Sequence, residues 1–427
     1  MHRILIAILF LFTMLFAFGE AGASSLLISP GAKSAGMGEA MVAYPGNPIM
    51  SYYNPAALIF TNSGISISKN NYSPNLYNDS HQTFLALNYT ISTEHSIGAN
   101  YQYITNVNFL NMRAISINYA YKLSEISSIG ITVKNVHQKY LYPYLDQSDE
   151  SKNILYDLSF FRNKNNLNIG LHLANMGKPI SFSNNSQADP APTNLSMGLF
   201  YTIYNNDYNK LSFSVQVDKL LVTRYQMMDW DGDGYVGGYD EFGSWIGEQV
   251  GEYNIDGKKE YDRKGYFDDP WYLAIFTAWL DDWYLGGDID YDGDTKIGGW
   301  TWDETMDMNE DGEPDIDELV EDESGVYGKC IFNKVCLEKG TGDNRSFKKE
   351  LEEMIFKYGI EYNFIEKTFF RIGYIHDFEG KNFSPTFGFG FAIENLMLDY
   401  GYTGGERGDP RENTHFFSLE YKLPPNN

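Results

Sequence analysis

Long hydrophobic runs are missing from most of this chain. Beyond its first residues, no apolar stretch approaches the roughly 20 residues that a membrane-spanning helix needs. A mean hydropathy of -0.37 agrees, and a helical membrane protein is excluded. Positive charge is scarce as well: 32 Lys and Arg stand against 57 Asp and Glu, for a net charge of -25. With no basic patch to offset that charge, nucleic acid is excluded as a partner. Cysteine is nearly absent, with Cys330 and Cys336 alone in "GKCIFNKVCLE". Two Cys with no nearby His make a zinc site improbable. In an exported protein the pair most simply forms a local disulfide, with two free thiols as the alternative. No nucleophile elbow, phosphate loop or paired His is present. Acid pairs such as Asp281-Asp282 carry little weight in so acidic a chain. No enzyme is expected.

Aromatic residues, by contrast, are abundant at 16%, with 33 Tyr and 28 Phe. More than half of the acids fall between Asp229 and Asp343, so the charge imbalance belongs mainly to one region. At the N-terminus, His2 and Arg3 precede the apolar run from Ile4 to Phe18, and "GEAGASS" sets Ala21 and Ala23 in an A-x-A arrangement. Residues 1–23 therefore read as a secretory signal with cleavage before Ser24. An uncleaved anchor is the alternative, disfavoured by the short run and the small-residue site.

Strict alternation marks many segments. In "RAISINYAY", Ile115, Ile117, Tyr119 and Tyr121 oppose Ser116, Asn118 and Ala120. In "KLSFSVQVD", Leu211, Phe213, Val215 and Val217 oppose Ser212, Ser214, Gln216 and Asp218. "FKYGIEYNF", "TFGFGFA" and "FFSLEYKL" repeat the pattern. Successive strand side chains point to opposite faces, so each segment has one apolar and one polar face. A soluble sandwich also alternates. Segments of about 8–11 residues, aromatic residues near their ends and an export signal favour a transmembrane barrel instead. Only a closed barrel satisfies every strand hydrogen bond in lipid.

The fold class is thus all-β, an antiparallel transmembrane barrel of about fourteen strands. They are placed near 64–70, 81–91, 96–106, 112–122, 127–139, 153–162, 166–175, 194–203, 209–219, 353–363, 367–376, 384–393, 395–403 and 414–423. Connections alternate between long ("NYSPNLYND", "KYLYPYLDQSDES", "MGKPISFSNNSQADPAPT", "GGERGDPREN") and short ("STEH", "NKN", "NND", "IE"). Outer-membrane barrels place the long ones outside the cell. Asp157, Asp218, Lys357, Glu361, Arg371, Asp399, Glu420 and Lys422 fall on the face expected to point into the lumen, where they solvate the interior or contact a plug.

Ahead of the first strand lies "SPGAKSAGMGEAMVAYPGNPIMSYYNPAALIF". Its small residues allow close packing and unusual backbone angles. The stretch G-A-x-S-A-G-M-G-x-A, followed by Asn54, Pro55, Ala56 and Leu58 as N-P-A-x-L, resembles the start of the PorV/PorQ group of FadL-like outer-membrane β-barrels. Glu39 stands where that pattern has a second glycine. The resemblance implies a fourteen-strand barrel with residues 24–62 folded into the lumen as a plug. It further implies either work with type IX secretion, holding exported proteins at the surface, or passage of hydrophobic molecules, as in the FadL branch.

The acidic region carries three loops with calcium-ligand spacing, because calcium takes six to eight oxygen ligands and wraps acids at positions 1, 3, 5 and 12 around one ion. The first loop has Asp229, Asp231 and Asp233, then Gly234, Tyr235 and the closing Asp240 and Glu241. The second has Asp290, Asp292 and Asp294, with Asp303 and Glu304 displaced by two residues; Asp288 is an alternative start. The third, Asp307, Asn309, Asp311 and Gly312 leading to Asp315 and Glu318, fits the spacing in full, with Pro314 where an aliphatic residue is usual. A strand precedes the first loop, so a helical sensor is not expected and the ion is read as a structural Ca2+ staple.

The expected organisation is a signal (1–23), a plug (24–62), barrel strands one to nine (63–220), an acidic extracellular insertion (221–350) and strands ten to fourteen (351–427). The expected protein sits in the bacterial outer membrane, among outer-membrane lipid. It supports type IX secretion or surface attachment of exported proteins, with secreted proteins or other secretion components as partners. Transport of a hydrophobic ligand is the alternative.

Overall fold

The computed structural model describes residues 21–71, 80–106, 110–142, 147–182, 188–221, 353–378, 380–405 and 412–424, with short stretches between 272 and 351. The chain forms two compact units. One comprises Met1–Ser183, Ala188–Val222 and Glu352–Asn427; the other comprises Asn184–Gln187 and Thr223–Leu351.

The first unit is a closed antiparallel barrel of fourteen strands. We number them β1 (Gly64–Asn70), β2 (Ser80–Thr90), β3 (His95–Asn106), β4 (Leu110–Ser124), β5 (Ser127–Tyr142), β6 (Gln147–Lys164) and β7 (Leu167–Gly177). The remainder are β8 (Asn194–Asn205), β9 (Asn209–Leu220), β10 (Ile355–Phe364), β11 (Thr368–Asp377), β12 (Asn382–Ile393), β13 (Leu396–Thr403) and β14 (Thr414–Lys422). Each strand pairs with the next, and β1 closes the ring on β14, with Gly64 opposite Lys422 and Asn70 opposite Phe416. Closure leaves no sheet edge, which lipid could not hydrogen-bond.

All fourteen expected strands are present. The largest differences are at β5 and β6, which run to Tyr142 and start at Gln147 rather than at 139 and 153. Apolar alternation stops there, so the sequence pattern gives no strand signal. Cross-strand polar pairs carry the ladder on: Lys139 lies opposite Glu150, with Nζ 3.3 Å from Oε1.

The two faces follow the period-two pattern. Ile115, Ile117, Ile131, Val133, Ile372, Phe387 and Leu398 are exposed on the outside. Ser116, Asn118, Thr132, Ser214, Gln216 and Thr386 are buried on the inside. That is the polarity of a barrel in lipid, inverted from that of a soluble sandwich. Among the described residues, no helix is long and apolar enough to cross a membrane.

In the second unit, the backbone pairs Trp300–Thr301 with Val320–Glu321, and Val326–Ile331 with Val335–Lys339. The latter register sets Cys330 opposite Cys336.

Candidate functional site: the inner wall and residues 24–62

Residues 24–62 run along the inner faces of the strands. Short helices span Ala32–Gly36 and Met50–Tyr53, and 3-10 turns span Ser24–Leu27 and Pro55–Phe60. Pro55 begins the last turn, and the Asn54 side chain caps it by accepting from the Ala56 N–H at 3.2 Å. Ala32–Gly36 packs on β11 to β14, whereas Pro55–Phe60 packs on β2 to β6.

The β12 alternation of Phe387, Phe389 and Phe391 with Gly388 and Gly390 has a direct cause here. The phenylalanines face outward, and a Cβ on Gly388 would sit 2.9 Å from the Gly36 Cα. Glycine on both sides lets the two backbones touch. Gly38 has φ +58 and donates its N–H to Thr386 Oγ1 at 3.0 Å. Glu39 follows at φ 62, a left-handed conformation that costs a residue with a Cβ roughly 1–2 kcal/mol. Its carboxylate reaches Lys357 Nζ at 3.1 Å and accepts from Ser29 Oγ at 2.9 Å. The departure from glycine at position 39 thus provides an ion pair to the wall.

Charged side chains line the β9–β14 side. Arg371 donates from Nε to Glu361 at 2.7 Å and from Nη1 to Asp399 at 2.6 Å, fully buried. Tyr44 donates its hydroxyl to the same Glu361 at 3.0 Å. Burial, with Glu361 beside it, holds the Tyr44 phenol well above its ordinary pKa and keeps it a donor. Lys357 pairs with Asp218 at 2.7 Å, and Lys33 with Glu420 at 3.2 Å. Gln216 on β9 accepts from the Met41 and Val42 N–H groups, both at 2.8 Å.

The β2–β8 side is different. Phe84, Ala86, Ala120, Phe161 and Phe200 form one buried apolar cluster with Met41, Val42, Met50, Ala57 and Leu58. Neutral polar groups take the backbone there. Asn54 Nδ2 donates to the Val42 and Phe160 carbonyls at 2.8 and 3.1 Å, and Asn100 Nδ2 donates to the Ser51 carbonyl at 2.9 Å. Further along, Lys134 on β5 donates to Asn175 at 2.6 Å and pairs with Asp157 at 3.2 Å, where the β6–β7 register shifts.

Two hollows remain. One, lined by Leu26, Tyr52, Lys134, His172, Asp218 and Lys357 among others, lies within the wall and measures about 60 Å³. The other, about 580 Å³, lies among Ile67, Phe389, Leu398, Phe417 and Leu419 on the outward face of β12, β13, β14 and β1.

Seven of the eight charges expected in the lumen are buried on the inner face: Asp157, Asp218, Lys357, Glu361, Arg371, Asp399 and Glu420. Lys422 is the exception. It shares their strand phase, but it is the last residue of β14 and is exposed. Glu39 and Asn54, both marked by the N-terminal motif, make the contacts described above, whereas Lys33, Tyr44 and Lys134 take part without having been singled out by the sequence pattern. The inward phase of β5 would have pointed to Lys134. The calcium-spaced residues from Asp229 to Glu318 lie outside the described residues. Among the described residues, no group of three or more His, Cys, Asp or Glu is placed to hold a metal.

A closed antiparallel barrel with an apolar outside and a polar inside is that of an outer-membrane β-barrel protein. Residues 20–227 match the model of the family described as Type IX secretion system protein PorV. The PorV resemblance read from residues 31–58 holds across that longer stretch. Among solved structures, the chain is similar to the Ralstonia pickettii toluene transporter TbuX, with 12% identity, 93% of this chain and 99% of that chain covered, and a TM-score of 0.47. It is similar to a monoaromatic hydrocarbon channel, CymD, with 10% identity, 94% and 99% covered, and a TM-score of 0.45. It is also similar to a Pseudomonas aeruginosa FadL homologue, with 8% identity, 92% and 98% covered, and a TM-score of 0.41. No curated protein matches.

Proposed function

We propose that this chain supports type IX protein secretion or the surface attachment of exported proteins. In this reading residues 24–62 act as a permanent plug, the long connections face the outside, and residues 221–350 form a calcium-stabilised extracellular domain that meets exported proteins. One observation carries the choice over transport of hydrophobic compounds. Among the described residues, a hollow between residues 24–62 and the wall is about 60 Å³, and charged and polar side chains such as Lys134, His172, Asp218 and Lys357 share its lining with Leu26 and Leu27. Small-molecule sites are clefts of roughly 300–1,000 Å³ with mostly apolar linings. The 580 Å³ apolar hollow opens on the outward face and offers no path along the lumen.

Affinity purification from native outer membranes, with mass spectrometry of proteins and lipids, tests the reading. Exported proteins are expected to copurify, and deletion of the gene is expected to release or retain them abnormally. An apolar ligand in place of protein cargo, with normal secretion after deletion, would establish transport instead. Calcium is tested separately. Asp229, Asp231, Asp233, Asp240, Asp307, Asn309, Asp311 and Glu318 supply the expected ligands. Chelation is expected to open residues 225–345 to protease and added Ca2+ to protect them again. Protection independent of Ca2+ would refute the staple.

A further inference from the structure

The outer face of the barrel changes character on three adjacent strands. Along β4 the outward positions run Tyr121, Tyr119, Ile117, Ile115 and then Arg113. Along β5 they run Ile129, Ile131, Val133 and then Asn135, His137 and Lys139. Along β6 they run Leu158, Tyr156, Ile154 and then Lys152 and Glu150. The apolar band therefore stops at a common level, and charge begins at the end that carries the long connections. Register brings these charges together: Arg113 lies opposite His137, His137 opposite Lys152, and Lys139 opposite Glu150.

The interactions form a chain. Arg113 donates to His137 Nδ1 from Nε at 3.1 Å and from Nη2 at 3.0 Å. A nitrogen that accepts from arginine carries no proton, so Nε2 is the N–H and faces Glu150 at 3.2 Å. Lys139 and Lys152 approach the same carboxylate at 3.3 and 3.9 Å. Lys139, Lys152 and the His137 imidazole thus meet at one carboxylate, and Arg113 joins them through His137, so three fixed cations gather on the outer face of a chain of net charge -25. The corresponding outward strand positions on β11 to β14 are His376, Phe383, Tyr402 and His415.

We propose that Arg113, His137, Lys139 and Lys152 bind the phosphates of a phosphorylated glycolipid of the lipid A type, in the leaflet beside the long connections. Cations just past an apolar band sit at headgroup level, where long side chains keep their charge in the interface. The arginine fork matches two phosphate oxygens, and the lysines supply point charges around it. Glu150 holds the cations in place in the lipid-free state and competes with the phosphate. The level of the cluster is read from the strands; its leaflet rests on the outward orientation of the long connections proposed above.

The test uses the full-length protein purified in detergent, with native mass spectrometry of retained lipid. The probes are bis-phosphorylated lipid A, its phosphate-free form and phosphatidylglycerol. Wild type is expected to prefer bis-phosphorylated lipid A over the phosphate-free form by about tenfold or more, as several cation–phosphate contacts imply. The combined variant Arg113→Ser, Lys139→Ser, Lys152→Ser is expected to lose that preference. Glu150→Gln is expected to strengthen it, since the competing carboxylate is gone. Lys69→Ser, outward at the same end of β1, is expected to leave it unchanged. Equal retention of the two glycolipids by wild type, or an unchanged preference in the triple variant, would overturn the proposal. A preference for phosphatidylglycerol would overturn the lipid A assignment. Protease accessibility of the long connections on intact cells tests the orientation by itself.

Discussion

Two parts of the inner wall hold the same N-terminal residues by different means. On β9 to β14, the interactions are ion pairs and charged hydrogen bonds, from Lys33 to Glu420, Glu39 to Lys357, and Tyr44 to the Glu361–Arg371–Asp399 set, beside neutral hydrogen bonds to Gln216 and Thr386. On β2 to β8, they are apolar packing around Phe84, Phe161 and Leu58, with neutral amides on backbone carbonyls. The difference matters because the two kinds of interaction fail differently. Removing one member of a buried ionic set leaves its partners charged and uncompensated, so the loss is abrupt and non-additive. Removing apolar volume costs in proportion to the cavity left behind.

Arg371→Ala should therefore have the largest effect, about 3–5 kcal/mol, since Glu361 and Asp399 would remain buried without a cation. Thermal or urea unfolding in detergent, read as loss of the fast-migrating folded band on gels, measures it. The triple change Arg371→Met, Glu361→Gln, Asp399→Asn should recover a large part of that loss. If it is no better than the single change, the ionic account of this wall is wrong.

Leu58→Ala, on the apolar side, should cost about 2–5 kcal/mol, and its effect should add to that of Arg371→Ala. Asn54→Ala should cost about 1–3 kcal/mol by stranding the Val42 carbonyl. Glu39→Gly should be the mildest. It relieves a left-handed backbone worth roughly 1–2 kcal/mol while removing one of two carboxylates on Lys357. A loss as large as that of Arg371→Ala would show that Glu39 holds more of the wall than its contacts to Lys357 and Ser29 imply.

The barrel was legible in the sequence because its signal is local. Alternation within each segment marks both faces, whereas connection length marks the ends only in part: the expected long connection after β5 is mostly strand, and the one between Asn106 and Leu110 at the same end is short. The buried state of Asp157, Asp218 and Arg371 follows from strand phase alone. What the sequence did not reveal is non-local. Lys33 finds Glu420 across 387 positions, and Glu39 finds Lys357 across most of the chain. Nothing near Tyr44 announces Glu361. The extensions of β5 and β6 were hidden as well, because polar cross-strand pairs there replace apolar alternation. Lys422 was misplaced for the opposite reason: strand phase gives the face but not where the enclosed wall ends.

The central claim is that residues 24–62 close the lumen and that the chain serves exported proteins rather than solute flow. Conductance of the purified full-length protein in planar bilayers tests it most directly. The account predicts no stable open steps from the wild type, at either polarity and with or without Ca2+. It predicts that Arg371→Ala, which loosens the ionic side, produces intermittent opening. A steady pore-sized conductance from the wild-type protein would contradict the account.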